Sequence, residues 1–175
     1  MTAALTGPMP GILLTPPQPP TRRKFALFPL ALASVALLPG TARALTSALP
    51  ASASLAEELS AALQISHPLL VMVSLAGCPY CKIVRESYLA PLRSETGQPM
   101  VQIDMGSAGA IRNFQGALTT QGAQVDAWNV NVAPTLLFFG KGGRESAARL
   151  VGFSSPDFYG AYLEQRLRDA TGATR

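Results

Sequence analysis

The two cysteines of Cys78-Pro79-Tyr80-Cys81 constrain this chain more than any other feature, because they stand between two strong secondary-structure signals. Residues 69–76 form a nearly unbroken apolar run of strand length, as expected for a strand buried on both faces. From Pro79 onward apolar residues recur at helical spacings, and Pro91 is expected to kink or end that helix. The pattern predicts a central strand, a short turn and a helix that begins at the cysteines.

A Cys-x-x-Cys pair at the start of a helix suits thiol-disulfide exchange. The first sulfur lies beside unpaired backbone N–H groups and the positive end of the helix dipole, which favours the thiolate of Cys78. Cys78 can then attack a disulfide, and Cys81, one turn further in, can displace the mixed disulfide that results. We therefore expect Cys78 and Cys81 to be catalytic and their own disulfide to be the redox group, with no other cofactor.

Three other uses of the pair stay open. A zinc site needs four ligands, and the chain offers no further Cys and a single His, His67, which is expected at a helix end, so no metal is expected. A purely structural disulfide across two residues would close almost no loop and stabilise little. A copper carrier would need another ligand near the cysteines, for which Met72 and Met100 are the nearest candidates in sequence.

The first 44 residues are typical of an exported protein. Residues 1–20 are rich in proline and lack apolar periodicity, which predicts a tail. The segment Thr21-Arg22-Arg23-Lys24-Phe25 opens an apolar run that ends at Leu38, and Ala42-Arg43-Ala44 follows as a small-residue cleavage site. We therefore expect a bacterial export signal cleaved after Ala44, which places the mature chain in the periplasm or otherwise outside the cytoplasm.

The route of export and the fate of the signal stay open. The paired arginines before Lys24-Phe25 are similar to a twin-arginine signal, although Pro29 is unusual inside such a run. The alternative to cleavage is a membrane anchor over residues 25–38. Those 14 residues would cover only about 21 Å as a helix, against a hydrocarbon core of about 30 Å.

The charge distribution argues against a nucleic-acid partner. The formal net charge is +4, but four of the 14 basic residues are Arg22, Arg23, Lys24 and Arg43. From Ala44 onward ten basic residues balance all 10 acidic ones. A neutral body lacks the basic surface that phosphate backbones require, so no nucleic acid is expected.

The length predicts one domain. It is expected to be an α/β domain over residues 54–175, preceded by a linker at residues 45–53. Ser54 and Glu57 form a capping box for a first helix that stops near Pro68. Further strands are expected at 100–105, 135–139 and 144–151, with a glycine-rich hairpin turn at 140–143. Residues 110–118 and 121–128 are each interpreted as a short helix. Trp128 is expected in the core.

The last helix is expected to begin at Ser155-Pro156, where a cap residue precedes a proline at the first helical position. Its predicted buried stripe consists of Phe158, Tyr162, Leu163 and Leu167.

With the motif and the strand order in place, the chain from residue 54 resembles the thioredoxin superfamily. The match rests on the strand, the Cys78-Pro79-Tyr80-Cys81 motif and its helix; on Val132-Ala133-Pro134-Thr135 entering a strand; and on a Gly142-Gly143 hairpin before a last helix. Within the superfamily the chain is most similar to periplasmic thioredoxin-like proteins of the sulfur-oxidation-associated type. The resemblance implies a thioredoxin-like fold, with a central mixed sheet of about four strands flanked by helices.

The resemblance also implies a substrate-binding set. In this family the proline that matches Pro134 is cis and stands beside the active-site disulfide, and the residue before it, here Ala133, pairs its backbone with a substrate strand. Gly77, Pro79 and Tyr80 complete the implied set. The alternative for Pro134 is an ordinary proline that opens a strand. The Pro-Tyr dipeptide also occurs in glutaredoxins and in periplasmic disulfide isomerases, so it does not fix the class.

Two departures from thioredoxins alter the surroundings of the cysteines. Met72 stands where thioredoxins carry a buried Asp, so Cys81 must lose its proton to water or to a substrate group, and Gly77 replaces their Trp. Strong oxidants of the superfamily often have His where Tyr80 stands, which favours a reductase over an oxidase or isomerase. We expect a monomer that acts on protein disulfides or thiols and takes electrons from a separate membrane partner, with a copper metallochaperone or redox-sensing binding module as the rival.

Overall fold

The computed structural model describes Pro17, residues 48–154 and residues 156–174. The predicted export signal, its cleavage point after Ala44 and all of the tail except Pro17 lie outside the described residues. The same holds for the predicted cap residue Ser155.

The described part of the chain contains five α-helices and six strands. The helices are α1 (Leu55–Gln64), α2 (Pro79–Val84), α3 (Ala90–Thr96), α4 (Gln121–Ala127) and α5 (Pro156–Thr174). The strands are β1 (Leu69–Ser74), β2 (Met100–Asp104), β3 (Ala110–Arg112), β4 (Leu118–Thr120), β5 (Thr135–Gly140) and β6 (Arg144–Val151). None of the helices in this part is both long enough and apolar enough to cross a bilayer.

A four-stranded mixed sheet in the order β2-β1-β5-β6 forms the centre of the domain. Strand β1 runs parallel to β2 and antiparallel to β5, and β5 is antiparallel to β6. Every residue of β1 and of β5 is buried, as the unbroken apolar run at residues 69–76 predicted for the first of them. The predicted fold class, a mixed sheet of about four strands with flanking helices, is confirmed.

The two faces of β1 bury alternate residues in separate apolar clusters, as the two-residue period of a strand requires. Leu69, Val71 and Val73 pack with α1 and α4 on one face. Leu70 and Met72 pack on the other face with residues of α2 and α5, and Cys81 belongs to this second cluster. Helices thus cover both sides of the sheet.

Helix α1 begins as predicted. The Ser54 hydroxyl accepts a hydrogen bond from the Glu57 N–H at 3.4 Å, and Leu55, Leu59 and Ala62 are buried. The helix ends at Gln64, a few residues before Pro68.

The helix that follows the cysteines does not end at Pro91. Helix α2 passes into a π-helical turn (Arg85–Leu89) and then into α3 without a break, and Gly97 ends α3 at a φ of 69°. Proline has no N–H to donate, and its ring crowds the carbonyl of the preceding turn. The wider π turn directly before Pro91 accommodates both effects and lets the helix continue.

The helix predicted over residues 110–118 is wrong, because these residues belong to the hairpin formed by β3 and β4. The Asn113 side chain accepts hydrogen bonds from the N–H groups of Gln115 and Ala117, and Gly116 has a φ of 78°. These local bonds favour a turn over a helix. The second predicted helix, 121–128, is observed as α4.

The described part of the predicted linker, residues 48–53, lies against the edge of the sheet. The Gln102 N–H of β2 donates to the Pro50 carbonyl at 2.8 Å, and Leu49 is buried. The Arg112 N–H of β3 donates to the Ala53 carbonyl at 3.0 Å. This segment therefore covers the outer edge of β2.

Two adjacent glycines between β5 and β6 provide a matched test of packing. Gly142 and Gly143 both have positive φ, but a Cβ at Gly142 would meet nothing within 4 Å, whereas one at Gly143 would lie 2.7 Å from the Cβ and Cγ of Phe114. The Phe114 ring packs on Phe139 with a centroid distance of 4.6 Å. We expect Gly143→Ala to lower the free energy of unfolding by about 1–3 kcal/mol more than Gly142→Ala does.

Urea denaturation of both variants measures this difference. The cost of a positive φ is common to the two and cancels in the comparison. Equal losses would mean that Phe114 moves aside without cost.

Candidate functional site

Cys78 and Cys81 form a disulfide at the start of α2. Cys78 is the residue that precedes the helix, and its sulfur accepts a hydrogen bond from the Cys81 N–H at 3.0 Å. Cys78 is half-buried, whereas Cys81 is only 1% exposed. In the reduced protein the same N–H would stabilise a thiolate at Cys78, at the more accessible of the two positions.

The loop before β5 lies beside this sulfur. The Ala133–Pro134 peptide bond is cis, as the resemblance implied, and the Ala133 carbonyl oxygen is 3.9 Å from the Cys78 sulfur. Within the disulfide Cys78 has no proton to donate, so this is a contact and not a hydrogen bond. Pairing of β1 with β5 brings the two loops together across 55 positions of sequence.

Hydrogen bonds hold both sides of this loop. The Gly152 N–H donates to the Pro134 carbonyl at 2.8 Å, and the Thr135 hydroxyl donates to the Val132 carbonyl at 2.7 Å. Ala133 is half-buried between them. The loop is thus held by one backbone bond from the residue after β6 and by one side-chain bond from the first residue of β5.

The other predicted site residues surround Cys78. Pro79 is exposed at the first position of α2, and Tyr80 has 56% of its surface exposed. Gly77 has a φ of 74°, and a side chain there would meet nothing within 4 Å. The absence of a side chain at Gly77 leaves the approach to Cys78 open on that flank.

Cys81 lies in an apolar environment. Met72, fully buried on β1, belongs to the same cluster as Cys81, together with Leu70 and Phe138. Met72 therefore offers no carboxylate that could take the proton of Cys81.

An aromatic cluster next to Tyr80 was missed by the sequence analysis. Phe153 has its ring centroid 6.1 Å from that of Tyr80 and 6.0 Å from that of Tyr88. Tyr159 packs on both Phe153 and Tyr88 at 5.0 Å. The cluster joins the Cys-x-x-Cys segment to the start of α5, and the Tyr88 hydroxyl donates to the Pro156 carbonyl at 3.0 Å.

Helix α5 buries Leu163 and partly buries Leu167, as predicted, but Tyr159 is buried in place of Phe158 and Tyr162. Phe158 and Tyr162 are 61% and 52% exposed, whereas Tyr159 and Leu163 are each 5% exposed. On a helix, consecutive residues such as 158 and 159 are about 100° apart around the axis. Periodicity alone therefore predicts which way the buried face points only to within about one residue. The fit of Tyr159 against Tyr88 and Phe153 decides the orientation.

The Tyr159 hydroxyl is buried and has no hydrogen-bond partner among the described residues. Burial, together with the neighbouring Tyr88, raises the pKa of Tyr159 well above its usual range. Tyr159 thus stays neutral in the folded protein.

A polar cleft of about 400 Å³ opens on the other side of Cys78. Its lining includes Cys78, Lys82, Arg85, Glu86, Gln102 and Asp104. The sequence analysis did not find it, because it forms where the ends of the parallel strands β1 and β2 meet the helix that follows the cysteines. The sequence did contain one indication of a polar surface here, because Lys82 and Glu86 follow Cys78 by one and two helical turns and so lie on the same side of the helix.

Hydrogen bonds form a continuous chain along the polar cleft. Arg85 donates from Nε to the Gln102 side-chain oxygen at 2.8 Å and from Nη2 to the Ser74 hydroxyl at 3.2 Å. Gln102 in turn donates to Asp104 at 2.9 Å. The Asp104 N–H donates to the Gln121 side chain at 2.8 Å, which joins the cleft to α4.

Comparison with known proteins gives a family match. A family model described as a thioredoxin-like domain matches residues 55–167, which is more than half of the chain. No curated protein matches this sequence.

Several solved structures are similar to the chain. Thioredoxin O2 from Arabidopsis thaliana shares 22% identity over 69% of this chain and 96% of its own, with a TM-score of 0.43. Trxlp from Edwardsiella tarda shares 28% identity over 59% of this chain and 88% of its own, with a TM-score of 0.39. The periplasmic thioredoxin SoxS from Paracoccus pantotrophus shares 22% identity over 59% of this chain and 98% of its own, with a TM-score of 0.40.

Tyr159→Phe and Tyr88→Phe form a matched pair that tests the aromatic cluster. Loss of the unpartnered Tyr159 hydroxyl should leave the free energy of unfolding unchanged or raise it by up to about 1 kcal/mol, whereas loss of the Tyr88 bond to Pro156 should lower it by about 1 kcal/mol. Above about pH 10 the wild type should lose stability, because Tyr159 ionises only in the unfolded chain. Tyr159→Phe should reduce that alkaline loss.

Urea denaturation at neutral and alkaline pH measures both effects. A clear loss of stability in Tyr159→Phe at neutral pH would contradict the assignment of this hydroxyl as unpartnered.

Proposed function

Since the chain belongs to the thioredoxin-like family and is a thiol-disulfide oxidoreductase of that kind, we propose that it reduces disulfides of exported proteins through Cys78 and Cys81. The observation that carries this proposal is the position of the Cys78 sulfur, which accepts the Cys81 N–H at 3.0 Å and has the Ala133 carbonyl 3.9 Å away. One group stabilises a thiolate, and the other lies where a substrate backbone would pass.

The reaction needs two exchanges. The Cys78 thiolate attacks one sulfur of the substrate disulfide, forms a mixed disulfide and releases the other substrate sulfur as a thiolate, which takes up a proton. Cys81 then loses its proton and attacks the Cys78 sulfur, which closes the Cys78–Cys81 disulfide and releases the second substrate thiol. Two electrons pass from the protein to the substrate, one proton comes from Cys81 and one from solvent, and no cofactor besides the disulfide takes part.

Ala133 and Pro134 are the proposed backbone contact for the substrate. The loop is held by the bonds from Gly152 and Thr135, so it presents Ala133 beside Cys78 in a fixed position. Gly77, Pro79 and Tyr80 surround the same sulfur and are proposed to contact the substrate near its cysteine. Exposed Tyr80 adds apolar area on the side of the aromatic cluster.

The lack of a charged residue between Cys78 and Cys81, and not the environment of Cys81, favours the reducing direction. Met72 replaces a carboxylate in the apolar cluster around Cys81, so the proton leaves to solvent or to the departing substrate sulfur. Tyr80 carries no charge that would hold Cys78 as an unusually stable thiolate. A separate membrane partner is proposed to return electrons to the monomeric protein after each cycle.

Cysteine variants test the proposed chemistry. In an insulin reduction assay with dithiothreitol, Cys78→Ser should lower turnover to the uncatalysed rate, because the attacking sulfur is lost. Cys81→Ser should also stop turnover, and when it is reduced beforehand and mixed with insulin without dithiothreitol it should accumulate a mixed disulfide, which is detected by non-reducing electrophoresis and mass spectrometry.

The two variants control for each other, because each replaces one sulfur by oxygen, at positions three residues apart at the start of the same helix. Full activity of Cys78→Ser would refute the proposal. Tight Cu(I) binding by the wild type without turnover would instead favour the metallochaperone, and a dimer in light scattering would favour the isomerase. The redox potential of the pair against a glutathione series sets the direction.

Export is the second part of the proposal and is supported by the sequence of residues 21–44. The full chain expressed in a bacterial host should yield a periplasmic protein that begins at Leu45, as measured by intact mass and N-terminal sequencing. Replacement of both Arg22 and Arg23 by lysine should block export only if the twin-arginine route is used. A membrane-bound protein that retains residues 25–38 would identify an anchor, and a cytoplasmic full-length protein would contradict export.

A further inference from the structure

We propose that the polar cleft is a carboxylate-binding subsite that selects disulfides with a carboxylate close to the reactive cysteine. The inference rests on the proposed function and adds a substrate class to it. The carboxylate would belong to an acidic residue of a protein substrate or to a small peptide thiol such as glutathione.

Arg85 supplies the first reason. The residue is half-buried, and its guanidinium donates to two neutral acceptors, the Ser74 hydroxyl and the Gln102 side-chain oxygen. Within residues 48–154 and 156–174 no carboxylate forms an ion pair with it. Two bonds fix the orientation of the group, and three of its five N–H donors remain for a ligand. A partly desolvated cation with neutral partners favours the arrival of an anion.

Lys82 supplies the second reason. It follows Cys78 by one helical turn, about 6 Å along the axis, and forms no ion pair with a described residue. Lys82 and Cys78 line the same cleft. A substrate carboxylate there would place its own cysteine within reach of Cys78.

The two carboxylates of the cleft set a limit on the ligand. Asp104 is occupied by the Gln102 side chain, and Glu86 is exposed about two turns from Cys78, roughly 12 Å along the helix. With Lys82 and Arg85 they bring the formal charge of the lining to zero. A single carboxylate is therefore favoured over a phosphate or a run of acidic residues.

The shape of the cleft agrees with such a ligand. Gly77 presents no side chain between the cleft and Cys78, and the space beside its backbone is open. A volume of about 400 Å³ holds a group the size of one or two amino acids. An acidic side chain or a small peptide thiol fits these dimensions.

Matched disulfides test the proposal. The reduced wild-type protein is mixed, in a single turnover, with peptide disulfides that carry Glu, Gln or Lys beside the cysteine, and with oxidised glutathione or its ethyl ester. We expect second-order rate constants about tenfold higher for Glu than for Gln, a difference of about 1.4 kcal/mol. The preference should fall toward unity in 1 M salt, where the Debye length is only about 3 Å.

Variants locate the origin of the preference. Lys82→Gln and Arg85→Gln should each reduce the ratio of Glu to Gln rates to below about threefold, a loss within the range of charge-assisted bonds. Arg168→Gln is the matched control, since this arginine pairs with Glu164 on α5, outside the cleft lining, and should keep the wild-type ratio. If Arg85→Gln does not fold, the ratio measured for Lys82→Gln tests the proposal, because Lys82 is exposed and its replacement should not affect folding. The ratio compares identical disulfides and is therefore independent of the overall activity of a variant.

Each outcome bears on the subsite. Any of three results would overturn it. The first is that the wild type shows equal rates with Glu and Gln peptides and also equal rates with glutathione disulfide and its ester. The second is a preference for Lys, and the third is a preference for Glu that both cleft variants keep. A preference shown only by the peptides identifies an acidic side chain as the source, and one shown only by glutathione over its ester identifies a small thiol. If even the neutral peptide is not reduced, the proposed function is wrong and the subsite with it.

Discussion

The site depends on the pairing of β1 with β5. Both strands are buried along their whole length, and they run antiparallel with Val73 opposite Thr135. The carboxyl end of β1, which leads to Cys78, therefore lies beside the amino end of β5, which follows Pro134. Apolar burial on both faces of the sheet fixes this arrangement, so the contact between Cys78 and Ala133 follows from the core.

The two sulfurs face different surroundings because of the same arrangement. Cys78 borders the polar cleft and open solvent at Gly77, whereas Cys81 lies among Met72 and other apolar side chains. A nucleophile needs access and stabilisation of its charge, while the second cysteine only has to reach the first. The fold separates these requirements by one turn of helix.

Much of this was predictable from local patterns. The run that became β1, the capped start of α1 and the β5–β6 hairpin each carry a signal in adjacent residues, and the resemblance added the cis Pro134. The hairpin at 110–120 was missed because three-residue strands are too short to show a period, and its turn depends on the Asn113 side chain. The choice of Tyr159 over Phe158 depends on contacts with Phe153, in the loop before the helix, and with Tyr88, 71 residues away in sequence. The polar cleft requires the pairing of Ser74 with Asp104, which no local pattern contains.

The segment that covers β2 has a consequence for the behaviour of the sheet toward other chains. An edge strand with free N–H and C=O groups is a template for aggregation, and proteins block such edges with charges or with covering chain. Pro50 and its neighbours cover the edge of the sheet formed by β2. The other edge strand, β6, carries the charged residues Arg144, Glu145 and Arg149, of which Arg149 pairs with Glu145. Both margins of the sheet are thereby unsuited to strand addition from a second molecule, including the unfolded chains whose disulfides such a protein would meet.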